Sequence, residues 1–271
     1  MALPRIDGSS VRPAGILLVG HGTRSALGRE EFLTLAQLVV KRVDVPVEAG
    51  FLELAEPTIA TATARLVKRG ARRIVVAPLL LFAAGHAKDD IPRAVAAALA
   101  AIGATEVTAL QVSHLGCHPS IVELSSGRFT ESLQVCHPLP AADTCLLLVG
   151  RGSHDESATA EMHEFARLIA ERSPVGSTSV AFLAMARPGL RETLPELARK
   201  GWKRVVVQPH LLFHGDLYDT LSSAIENCRM ESSKTEWIVT PHLSRGLAQA
   251  AVVQNLLLDA IGDRIRPALA G

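Results

Sequence analysis

The chain has 271 residues, 48% hydrophobic and 20% charged, which suits one large or two modest globular domains and excludes a disordered chain. Lys and Arg total 28 against 27 Asp and Glu, a formal charge of +1, so the basic excess of a nucleic-acid or membrane-surface binder is missing. The N-terminal "MALPRIDGSSVRPAG" lacks the apolar core of a signal peptide, and "IVVAPLLLFAAG" (74–85), broken by Pro78, is too short to span a bilayer. Cys117, Cys136, Cys145 and Cys228 form no CxxC pair, which predicts reduced thiols in a cytoplasmic protein without an iron–sulfur or structural zinc site.

Along the chain, "GILLVG", "VPVEAGFL", "RRIVVAPLLLF" and "TEVTALQV" are short apolar runs suited to parallel strands covered on both faces. Helical periods lie between them: Phe32, Leu35, Ala36, Val39 and Val43 recur at spacings of three and four. Pro57 and Pro188 are expected near helix starts, where a missing N–H costs little, and Gly70 and Gly201 where helices stop.

The pattern is written twice. "GILLVGHGTRSALGREEFLTLAQLV" (15–39) returns as "CLLLVGRGSHDESATAEMHEFARLI" (145–169). "FLELAEPTIATATARLVKRGARRIVVAPLLLF" (51–82) returns as "FLAMARPGLRETLPELARKGWKRVVVQPHLLF" (182–213). Two α/β domains are therefore predicted, 1–136 and 137–271, each a doubly wound parallel sheet flanked by helices and related by duplication, with "CHPLPAADT" (136–144) as linker. The two halves can satisfy each other's interface and leave a monomer.

Ligands of such sheets bind at the carboxyl ends of the strands. His21 follows the first strand, Glu53 the second and His86 the third, so all three can share one cleft as metal ligands or proton acceptors. Taken singly they have simpler readings: a hydrogen-bonded loop histidine, a helix N-terminal charge, a helix cap. Their loss together in the repeat argues otherwise. Arg151, Ala184 and Leu217 stand in their places, while Gly20, Gly22, Phe51, Pro57, Pro78 and Phe82 return as Gly150, Gly152, Phe182, Pro188, Pro209 and Phe213. The first half is thus the expected reactive half. The pairs His114/His118 and His210/His214, the latter with His154, could hold a second metal, but no carboxylate accompanies them at matched spacing and a structural role is favoured. "GHGTRSALG" fits neither phosphate-loop pattern.

"LLVGHGTR", "FLELAEPTI", "VVAPLLLFAAGHAKDDIP" and "SHLGCHPSIVELSSGRF" together resemble the sirohydrochlorin chelatases, class II chelatases of the CbiX/SirB type, in their long two-half form. The resemblance implies a lyase that inserts Co²⁺ or Fe²⁺ into sirohydrochlorin without ATP, in cobalamin or siroheme biosynthesis. It makes His21 and His86 the metal-binding and proton-accepting histidines and Glu53 their helper. Leu81, Phe82, Ala83, Ala84, Gly85 and His86 would line the tetrapyrrole. The metal would be a substrate, with no permanent cofactor. Gly22 and Gly85 would let a flat macrocycle approach the backbone. Arg24, Lys88 or Arg151 could meet its carboxylates. The competing readings are a histidine phosphatase, whose Arg before the His is replaced here by Gly20, and a non-catalytic tetrapyrrole or metal carrier.

Overall fold

The computed structural model describes residues 13–82, 86–231 and 234–270. The first half runs β1 (Ala14–Gly20), α1 (Ala26–Val40), β2 (Val47–Phe51), α2 (Ile59–Lys68), β3 (Arg73–Pro78), a π-helical turn (His86–Asp90), α3 (Ile91–Ala101), β4 (Thr108–Gln111) and α4 (Pro119–Gln134). The second half runs β5 (Thr144–Gly150), α5 (Glu156–Ala170), β6 (Ser177–Phe182), α6 (Leu190–Arg199), β7 (Arg204–Pro209), α7 (Asp216–Glu231), β8 (Glu236–Val239) and α8 (Ala251–Ala270). The sheets have the orders β2-β1-β3-β4 and β6-β5-β7-β8, with parallel pairing throughout. The chain is two tandem α/β units of doubly wound type, and the switch point of the first sheet lies between β1 and β3.

Each strand is apolar on both faces because both are covered. On the outer face of the first sheet, Leu17, Val19, Ile74 and Val76 meet Ile59, Ala62 and Leu66 of α2 and Ile91 and Val95 of α3. The inner faces of both sheets share one core: Ile16, Leu18 and Val75 from the first, Leu146, Leu148 and Val206 from the second, and Phe32, Phe129, Phe165 and Ile261 from α1, α4, α5 and α8. The last helix of each half crosses to the other. Helix α4 packs on α5, and α8 packs on α1 and β3. Arg73 donates to the final carbonyls of α8, at Ala268 and Leu269, both at 2.8 Å, and its copy Arg204 donates to the His137 carbonyl beyond α4, at 2.7 Å. Arg73 thereby satisfies helix-end carbonyls that lack intrahelical partners.

Two local expectations change. The third strand ends at Pro78 rather than Phe82, because Leu79 and Leu81 turn into the shared core. Pro57 and Pro188 do lie near their helix starts, but before the N-cap rather than in the first turn. Each follows a cis peptide bond one residue before the N-cap (Thr58 and Gly189), and its carbonyl accepts from the N–H of Phe51 or Phe182. Gly70 and Gly201 do terminate α2 and α6, at φ of +91° and +74°. No described helix is long and apolar enough to cross a membrane.

Candidate active site

The loops leaving β1 and β2 continue the ladder of the strands they leave. The N–H of Leu52 donates to the Gly20 carbonyl at 2.9 Å and the N–H of Glu53 to the His21 carbonyl at 3.0 Å. This closeness demands Gly22, which sits at φ +111°. A Cβ there would lie 1.7 Å from the Glu53 carbonyl oxygen. The glycine therefore serves the meeting of two loops. The consequence is that His21 Nε2 and Glu53 Oε1 stand 3.4 Å apart, with the imidazole 20% and the carboxylate 49% exposed. The pair sets one imidazole nitrogen and one carboxylate oxygen, two donor types that first-row metal ions accept, at the same strand end.

The second half repeats the scaffold without the chemistry. Leu183 and Ala184 donate to the carbonyls of Gly150 and Arg151 at 2.9 and 2.8 Å, and Gly152, at φ +91°, would place a Cβ 1.8 Å from the Ala184 oxygen. Leu54 and Met185 also share a positive φ, 62° and 59°.

His86 opens the π-helical turn before α3, so it issues from the strand next to the one that carries His21, across the switch point. Such turns recur at functional positions. Ala83, Ala84 and Gly85 lie outside the described residues, as does the ring of His86. Leu81 is buried in the shared core, and Phe82 packs on the His210 ring with centroids 4.8 Å apart. Of the basic residues expected near the cleft, Arg24 and Arg151 are exposed, whereas the Lys88 ammonium is engaged by Asp155 at 2.5 Å and Ser157 at 2.9 Å.

No carboxylate stands at matched spacing beside the paired histidines in the sequence, but three of the four, His114, His118 and His214, meet carboxylates in the fold. His114 meets Glu161 at 2.8 Å across the halves, and His242 meets Glu31 at 2.7 Å in the mirror-image contact. Burial pushes the Glu31 carboxyl up, but the bond and charge of His242 and the bond from the His214 N–H outweigh it and hold the group below its ordinary value. His118 caps α4 through the Ser120 N–H and reaches Asp263 at 3.3 Å. His214 bonds Ser25 at 3.0 Å and meets Asp219 at 3.2 Å. His210 is buried between Phe82 and Phe165 with no partner for either ring nitrogen among the described residues, and burial pushes its pKa down to about 3. No three His, Cys, Asp or Glu side chains among the described residues gather into a metal site. The cross-half pairs were detectable in the repeat, where Glu31 returns as Glu161 and "SHL" (113–115) as "PHL" (241–243).

Two parallel-sheet units with an imidazole–carboxylate pair at one strand end define a chelatase-like α/β protein. The sequence profile of the CbiX family matches residues 15–132 and 145–260. A sirohydrochlorin ferrochelatase of Priestia megaterium is 34% identical over 220 residues, 81% of this chain and 80% of that one. A sirohydrochlorin cobaltochelatase of the same species is 28% identical, over 82% of this chain and 72% of that one. The solved structure of SirB from Bacillus subtilis with Fe³⁺ superposes with a TM-score of 0.78 at 28% identity, covering 95% of this chain and 96% of SirB. The chain belongs to the CbiX family of sirohydrochlorin chelatases.

Proposed function

We propose that the protein inserts a divalent metal ion, Co²⁺ or Fe²⁺, into sirohydrochlorin, with His21 and His86 as metal ligands and proton acceptors and Glu53 as the group that orients and charges His21. The observation that carries this reading is the His21–Glu53 pair at 3.4 Å, set on a two-loop scaffold that the second half builds without either side chain. The relatives named above are chelatases of this substrate, one for iron and one for cobalt.

Insertion requires that a hydrated ion exchange water for imidazole and carboxylate, then exchange those for pyrrole nitrogens. Two nitrogens and one oxygen hold a first-row ion well enough to strip it and leave positions open for the macrocycle. Two pyrrole protons must also leave. Neutral imidazoles at His21 and His86 accept one each, and Glu53 stabilises the imidazolium that forms at His21. The metal is consumed as substrate, and this donor set accepts either ion, so supply decides which is inserted. The macrocycle's carboxylates would meet Arg24 and Arg151, the exposed basic residues of the loops after β1 and β5. The first half carries the reaction, and the reciprocal contacts within one chain support a monomer as the working unit.

The test mixes purified protein with sirohydrochlorin and either ion anaerobically and follows the absorbance change on metallation. The wild type should accelerate insertion over the spontaneous rate and His21→Ala should not. Binding without acceleration would identify a carrier instead.

A further inference from the structure

We infer that Asp155, on the half that lacks the His/Glu set, is a positioning residue for the site: by holding Lys88 it fixes the turn on which His86 sits. This rests on the reading proposed above.

The loop after β3 meets the second half at Lys88, two residues beyond His86. Its ammonium donates to Asp155 Oδ2 at 2.5 Å and to Ser157 Oγ at 2.9 Å. Asp155 is itself held in place. It is the N-cap of α5, its Oδ1 accepts from the Ser157 N–H at 2.9 Å and the Ser157 hydroxyl at 2.6 Å, and its N–H donates to Ser153 Oγ at 3.0 Å. One carboxylate oxygen caps the helix and the other receives the lysine, so little side-chain freedom remains to be lost when the pair forms.

The mirror-image contact shows what is special here. Ser25, the N-cap of α1, grips the loop after β7 through Ser25 Oγ and His214 Nδ1 at 3.0 Å. Each half thus holds the other's post-third-strand loop with the cap of its first helix, but the contact is a charged pair only where the loop carries His86. There the chain enters α3 through a π-helical turn, His86–Asp90, whereas α7 begins directly at Asp216. A π-helical turn is a rare, single-turn departure from the α-helix, and the Lys88 contact anchors it from outside. The pair is exposed, with Lys88 46% and Asp155 26% accessible, so its value to global stability is small and its effect should appear in catalysis.

Asp155→Asn tests this, because Asn caps a helix as well as Asp through its one oxygen, while its amide nitrogen, a donor, takes the place of the oxygen that receives the lysine. The expected result is a kcat for metal insertion lowered about ten- to hundredfold, as misplacing a reacting group does, with KM for sirohydrochlorin and the melting temperature unchanged. Hydrogen exchange at the backbone amides of 86–90 should quicken while α5 keeps its protection. Lys88→Gln should give the same loss, and Asp155→Asn added to Lys88→Gln should cost nothing more. Asp143→Asn, which breaks the Lys203 pair at the amino-terminal end of the second sheet's central strands, is the control. A wild-type kcat in Asp155→Asn overturns the inference whatever the exchange shows. A raised KM with kcat intact also overturns it and makes the pair part of the substrate's binding surface. A wild type that inserts no metal would instead refute the proposed function, and unchanged exchange at 86–90 would then refute the anchoring as well.

Discussion

The loops leaving β1 and β5 have the same backbone and different chemistry. Both use a left-handed glycine against a carbonyl, Gly22 on Glu53 and Gly152 on Ala184, and both draw the next loop in by the same two hydrogen bonds. Only the first presents an imidazole and a carboxylate at 3.4 Å. Within one chain, this comparison separates residues that the fold needs from residues that it can spare. Glycines, loop prolines and strand apolar residues are in the first group. His21 and Glu53 are in the second, so a role outside folding is the economical explanation of their presence. The second half is also more than a remnant: its helices α5 and α8 complete the core of the first, and its Glu161 and Asp155 hold two of the first half's loops.

The largest effect should come from erasing the difference. His21→Ala should lower kcat/KM for metal insertion by about 10²- to 10⁴-fold, the worth of a positioned acid–base group, with the melting temperature nearly unchanged. Adding Arg151→His and Ala184→Glu to that variant rebuilds the pair on the second scaffold but supplies no counterpart of His86. No activity should return. Recovery in a steady-state assay would show that the His/Glu pair suffices and that His86 is dispensable.

Gly22→Ala and Gly152→Ala sharpen the comparison from the side of the frame. Each places a methyl group under 2 Å from a backbone oxygen at a positive φ, and each should destabilise by about 2–4 kcal/mol in chemical denaturation. The two should be alike in stability, while only Gly22→Ala lowers the rate per folded molecule. The cross-half ion pairs offer a graded case. Glu31→Ala strands His242 and the His214 N–H in the interior and should cost about 2–3 kcal/mol. Glu161→Ala, whose partner His114 reaches solvent, should cost nearer 1 kcal/mol. Equal losses would mean that the two contacts are equally desolvated in solution.

The repeat made most of the fold legible, because strand-to-helix alternation and helix stops such as Gly70 and Gly201 are local signals. What it hid were the features that depend on the other half. "VVAPLLLF" reads as one long strand, yet only its first part pairs; Leu79 and Leu81 are apolar because they face a core built jointly by both sheets. His114 and His242 look like stray histidines without carboxylates because Glu161 and Glu31 come from the opposite half. His21, Glu53 and His86 could be singled out because a strand end is a local property and their replacement in the copy is visible in the letters alone. That Gly22 serves the Glu53 carbonyl could not be read, since the contact joins loops about thirty residues apart.

The smallest difference concerns position 210, where the second half has a buried histidine and the first has the buried Leu79. His210 is stacked on Phe82 and Phe165 and stays neutral in the folded protein to about pH 3, whereas in the unfolded chain it protonates near its ordinary value of 6.5. Below pH 6.5 the unfolded state therefore binds more protons, and stability falls with pH until about pH 3, where both states are charged and the slope ends. One unit below 6.5 the loss is about 1.4 kcal/mol. His210→Leu copies the first half's residue and should remove this component: the stability gap between variant and wild type, measured by urea denaturation, should widen in the variant's favour from pH 7.5 to pH 5.5. A gap that stays constant over that range would mean that the ring finds a proton acceptor or solvent in the folded state, and that the interface between the halves is looser around His210 than around Leu79.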